Sequence, residues 1–132
     1  MVDPEDSDHP PTRSDGPAPH YSAGRYLTAH RYVVGWPEHG LVKIGCSTNP
    51  ARVKRFTRTK GAELIDVAHY ARLYDDVRSE CWLASRVERK WPRAWARKDE
   101  STFLLGRNTG GWTEFYAVPV EDWTELRELA AL

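Results

Sequence analysis

At 132 residues, 40% hydrophobic, with six Trp and zero formal net charge, the chain has material for one compact core and hardly for two. No apolar run approaches the roughly 18 residues of a membrane span, and no basic-then-apolar leader opens it, so a cytoplasmic protein with no membrane partner is expected. The two cysteines, Cys46 and Cys81, form no CxxC pair, which favours reduced thiols over a disulfide scaffold or a zinc site.

The balanced charge conceals a segregation. Residues 1–24 sum to −4, residues 25–107 hold seventeen Lys/Arg against nine Asp/Glu for +8, and residues 108–132 return to −4. The acidic, Pro-rich opening has too few apolar groups to offset the entropy of ordering and is expected to be a disordered tail over 1–24. One domain is expected over 25–132. From His30 to Trp36 the chain is β-rich and stops at Pro37, and Leu41 to Cys46 repeats the pattern, so a hairpin is expected. Asn49-Pro50 then offers a cap and a first-turn proline for a short helix over about 50–59, with Val53 and Phe56 inward and Gly61 as the stop.

A third strand is expected over Ala62 to Arg72. A longer helix starts at Asp75 or Asp76 and runs to about Trp91, with Val77, Cys81, Ala84, Val87 and Trp91 as its apolar arc. Glu80 falls inside that arc, as does Glu88. Trp112 to Val118 forms a fourth, shorter strand, and Glu121 to Leu132 a closing helix packed through Trp123, Leu126 and Leu129 or Ala130. The fold class expected is α+β, a small central antiparallel sheet of about three strands flanked by helices. Between Leu41 and Lys60 the residues Lys43, Arg52, Lys54, Arg55, Arg58 and Lys60 meet no acid, a local field that attracts phosphate. The five histidines show no ligand spacing, and His39 reads as a turn residue.

In this frame the segment from Arg31 to Glu80 resembles the GIY-YIG nuclease core. Tyr32 stands where the first motif has its tyrosine, and Lys43-Ile44-Gly45 follows eleven residues later, similar to a phage and bacterial subgroup with KIG in the second motif. Glu80 resembles the metal-binding glutamate of the family, and Gly111-Trp112-Thr113-Glu114-Phe115 resembles the subgroup's ending. Of the first motif only the tyrosine is kept, and Val53 occupies the usual arginine position, so the phosphate arginine is Arg52 or Arg55, with Arg52 favoured by the helical wheel.

The resemblance implies a metal-dependent DNA endonuclease, bacterial or phage-encoded, with Tyr32, Lys43, Arg52 and Glu80 as its catalytic set. Glu80 would hold Mg²⁺ or Mn²⁺, Arg52 would fork onto the nonbridging oxygens, and Tyr32, assisted by the positive charge of Lys43, would help deprotonate water. Gly45 would let the backbone pass close to the phosphate, with Lys54, Arg55, Arg58 and Lys60 binding the nucleic acid. A catalytically weak module that binds nucleic acid through these cations and Arg78, Arg86 and Arg89, or one that binds a protein, is the alternative. Target choice would fall to a homodimer, a protein partner, or loop contacts around residues 92–111.

Overall fold

The computed structural model describes residues 9–17, 19–22, 25–49, 51–58, 61–94 and 115–132. The strands are β1 (Pro19–Ser22), β2 (Arg25–Trp36), β3 (Leu41–Ser47), β4 (Glu63–Tyr70), β5 (Arg93–Ala94) and β6 (Phe115–Ala117). The helices are α1 (Arg52–Thr57), α2 (Asp75–Lys90) and α3 (Trp123–Ala130). The α+β class holds, but among the described residues the antiparallel sheet has six strands where about three were expected. The three expected strands are its centre: β2 pairs β3 along one side and β4 along the other. Of the others, β6 falls within the fourth, shorter strand expected over Trp112 to Val118, while β1 and β5 are short pieces at the margins, β5 too brief for a period-two pattern to register. Residues 95–114, including the expected strand start at Trp112, lie outside the described residues.

The hairpin between β2 and β3 closes through a single 3-10 turn over Pro37–His39. Gly40 then takes φ 60°, where a side chain would clash with its own backbone. Its amide bonds the Pro37 carbonyl at 3.3 Å. Alternation along β2 divides the core into two layers. Val33, with Val42 and Ile44 of β3, packs against Trp82, Leu83 and Val87 of α2 and Trp123, Leu126 and Ala130 of α3. Tyr32, Val34 and Trp36 pack on the opposite face against Phe56 of α1 and Phe115 of β6. The sheet is therefore covered by α2 and α3 on one face and by α1 on the other.

Helix α2 is rotated from the arc expected for it. Asp76, Ser79, Trp82, Leu83 and Val87 are buried, whereas Val77 is 43% exposed. The cause is a polar network beneath the helix. Arg31, 1% exposed, donates to Ser79 Oγ at 3.2 Å, to the Ala130 carbonyl at 3.0 Å and to the Asp66 carboxylate. Tyr70 also donates to Ser79. Turning Ser79 inward satisfies groups that an apolar residue would leave orphaned.

Within residues 1–24, where a disordered tail is expected, described residues make contacts with the rest of the chain. Arg13 donates to Asp66 at 3.3 Å and to the Ala130 carbonyl, and the Ser14 amide bonds the His69 carbonyl at 2.8 Å. β1 adds main-chain pairing to the first residues of β2. Backbone hydrogen bonds and one buried-end arginine supply what apolar composition did not promise. Residues 1–8 lie outside the described residues.

Burial raises the Asp76 carboxyl above its ordinary value, against the lowering influence of the backbone amides at the helix start. An acid whose folded pKa is raised loses its proton first in the unfolded chain, so its contribution to stability falls as pH rises above about 3.9. Asp76→Asn is expected to flatten this part of the profile, read as a difference from wild type in urea midpoints between about pH 3.5 and 7. Midpoint profiles that stay parallel would show that the carboxyl is no more costly folded than unfolded.

Candidate functional site

Tyr32 and Gly45 are direct cross-strand partners on β2 and β3. The phenol ring lies on the glycine: a Cβ placed there would meet Tyr32 Cζ at 2.5 Å and Cε2 at 2.9 Å. The glycine thus permits a close approach of the tyrosine of the same hairpin. Lys43, two residues earlier on the same face, brings its Nζ to 5.5 Å from the Tyr32 ring and 5.3 Å from the Phe56 ring. Phe56 completes the cluster with its ring centroid 5.3 Å from that of Tyr32. Tyr32 and Lys43 are each 1% exposed. A cation held over two aromatic faces gains quadrupole attraction that partly offsets its loss of water.

Glu80 does not join them. It is half-buried on α2, and the Cys46 thiol donates to its Oε2 at 2.7 Å. Cys46 follows Gly45 on β3 and pairs with Arg31, so its side chain leaves the sheet on the α2 face. Tyr116, on that same face, carries the electrostatic signature of the placement. Its phenol is raised chiefly by burial, lowered by Arg93, and raised further by the charges of Glu88 and Glu80. Tyr32 and Glu80 therefore project from opposite faces of the sheet, with β3 between them. Glu88, the other acid of the expected arc, is exposed and meets Arg93 at 3.5 Å.

The cations divide by placement. Lys54, Arg55 and Arg58 are exposed on and after α1. The Asn49 side chain accepts from the Ala51 amide at 3.0 Å, ordering the turn that leads into this helix. Arg52 opens α1, but its side chain, like Lys60, Glu114 and the segment before Phe115, lies outside the described residues. Arg78 and Arg89 are exposed on α2, while the Arg86 guanidinium lies 4.8 Å from the Trp82 ring and is half-buried. Among the described residues no group of three His, Cys, Asp or Glu side chains could hold a metal ion. From the described residues a cation at Glu80 would take one protein carboxylate, and completing the shell with water suits Mg²⁺ because it dehydrates reluctantly.

Sequence reasoning passed over two residues on the Tyr32 face. His30 and His69 are cross-strand partners on β2 and β4, with ring centroids 6.1 Å apart, and His30 lies 6.2 Å from the Tyr32 ring. The period-two offset of His30 from Tyr32 was the available signal; the pairing with His69 was not visible along the chain. No protein-family model, curated protein or solved structure matches the chain in comparison.

Proposed function

We propose that the chain is a GIY-YIG-type domain that binds DNA and hydrolyses its phosphodiester bonds with the help of a divalent cation. The observation that carries this reading is the seating of Tyr32 on Gly45 beside Lys43, which gathers the residues of the two strand motifs into one cluster. In this reading Tyr32, next to the Lys43 ammonium, takes part in deprotonating the attacking water. Arg52 or Arg55 neutralises charge on the phosphoryl oxygens. Glu80 holds Mg²⁺ or Mn²⁺, which when bound supplies Lewis-acid stabilisation of charge on oxygen.

The placement of Glu80 sets a condition on this chemistry. Among the described residues, β6 pairs β3 only from Leu41 to Lys43, so Ile44 to Ser47 have no strand partner on that side. In the cutting reading Glu80 would meet the phosphate past the edge of β3, and Phe56 must yield before a phosphate can reach Tyr32. A second reading rests on that observation: binding without cutting, through Lys54, Arg55 and Arg58, with Arg78 and Arg89 on the second helix. It needs no joint action of Tyr32 and Glu80.

Supercoiled and single-stranded DNA incubated with the protein in Mg²⁺, Mn²⁺ or EDTA distinguish the two. Metal-dependent cutting should appear, and both Tyr32→Phe and Glu80→Ala should lower its rate by about 100-fold or more. Cutting at the wild-type rate in both variants would refute the assignment of these residues. Binding that weakens steeply with salt, without cutting in any metal, would establish the second reading.

A further inference from the structure

Beside Tyr32 the α1 face of the sheet holds a cavity of about 290 Å³, lined by Pro17, Thr28, His30, Val53, Lys54, Val67 and His69. Its walls come from cross-strand partners of β2 and β4, with α1 closing one side. Most of the lining is apolar, but one polar group in it is unusual. His30 is 2% exposed, its Nδ1 bonds the Thr28 carbonyl at 3.0 Å, and its Nε2 has no hydrogen-bond partner. A carbonyl only accepts, so in the neutral ring Nδ1 carries the proton and Nε2 presents a lone pair. Such a group is costly to bury unless something donates to it. His69 Nδ1 is also buried and without a partner. Its pKa is lowered, first by burial and then by His30.

We propose that this cavity receives a single unstacked nucleobase of a bound strand, with the base edge donating to His30 Nε2 and the adjoining phosphate held by Lys54. The size fits the occupant. Pockets for drug-sized ligands begin near about 300 Å³, so one planar heterocycle enters and a stacked run of bases does not. The chemistry fits as well. Val53 and Val67 offer apolar contact to the faces of the ring, the two imidazoles offer polar contact to its edge, and Lys54 stands exposed on the rim within the basic run of α1. Every nucleobase carries an N–H donor on its Watson–Crick edge, so the pocket selects for an unpaired base before it selects among bases. The cavity neighbours the cluster described above through His30, whose ring lies 6.2 Å from that of Tyr32. The inference rests on the nucleic-acid reading and names the strand that this reading would act on.

The test compares equilibrium binding, at low salt and without divalent metal, of a thymidine hexanucleotide, a fully abasic hexamer of equal charge, and thymidine monophosphate. The full-length protein is measured beside Val67→Trp, which fills the cavity, and His30→Asn, which can keep the donor to Thr28 but removes Nε2. The hexanucleotide should bind about 5-fold or more tighter than the abasic strand, the scale of one base stacked on protein. In both variants this preference should fall toward one while the affinity for the abasic strand stays unchanged. Equal affinity of the wild type for both hexamers would overturn the pocket and leave the nucleic-acid reading standing. Binding of neither hexamer would overturn both. A mononucleotide that binds as tightly as the hexanucleotide would assign the cavity to free nucleotides and overturn its role on a strand. Should Val67→Trp fail to fold, the comparison of the two hexamers on wild type and His30→Asn still decides the matter.

Discussion

Replacing Arg31 by methionine is expected to lower folding stability by about 3–5 kcal/mol, the cost of leaving a buried ion pair with one member. The guanidinium is 1% exposed and ties four parts of the chain together: β2, on which it sits, Asp66 of β4, Ser79 of α2 and the last carbonyl of α3. Burial lowers its pKa, while Tyr70 and Asp66 act in the opposite direction. Methionine fills much of the same volume, so the loss would report the Asp66 carboxylate deprived of its buried partner, with Ser79 left to Tyr70 and the Ala130 carbonyl to Arg13, rather than a void. Arg13 also reaches Asp66, at 3.3 Å, but its side chain is 30% exposed and offers only a screened substitute. The double variant Arg31→Met/Asp66→Leu should recover a large part of the loss, because apolar replacement of both partners removes the desolvation problem at its source. Urea unfolding of the two variants and the wild type measures both terms. A single variant within about 1 kcal/mol of wild type would show that this network does not hold the layers together.

Gly45→Ala should be the second most damaging change and should act on function beyond its effect on stability. The added Cβ would lie 2.5 Å from Tyr32 Cζ and 2.9 Å from Cε2, inside any real contact distance. The ring cannot retreat easily, since Phe56 stands on it with centroids 5.3 Å apart and Lys43 lies over it. Overpacking of this kind costs about 1–3 kcal/mol. Tyr32→Phe should rescue it only in part, because ring carbons Cζ and Cε2 clash as well as the hydroxyl. Tyr32→Ala should relieve the clash, at the expense of the phenol. If the phenol serves the proposed reaction, Gly45→Ala loses cutting even at temperatures where circular dichroism shows it fully folded. Cutting at the wild-type rate in a folded Gly45→Ala protein would separate Tyr32 from the chemistry.

The central hairpin was legible because its signals are local. Pro37 ends one β-rich run, Gly40 permits the left-handed step, and Leu41 begins the next run within the reach of a single turn. The long helix from Asp75 to Lys90 was legible for the same reason, since Pro92 and the acidic start bracket it. Its rotation was not. Helical spacing marks Val77, Cys81 and Ala84 as an apolar arc, but Ser79 and Asp76 turn inward because Arg31 and Tyr70 wait beneath them. Those two lie on strands whose faces are assigned only once the sheet is paired. The contacts of residues 13–22 were not legible either. Composition scores apolar burial and is blind to main-chain pairing, which is how β1 joins β2.

The order and spacing of Tyr32, Lys43, Gly45 and Glu80, and the acid-free basic run through α1, belong to the sequence itself, because spacing within a hairpin and the sum of charges need no knowledge of distant contacts. Tertiary structure alone decided which of these residues meet. It seated the phenol on the glycine, sent Glu80 to the α2 face with Cys46, and drew His30 and His69 together across β2 and β4. The physical reason is that a side chain's neighbours depend on which face of the sheet each helix covers. That choice is made by the packing of all layers at once and leaves no mark on the spacing along any one element.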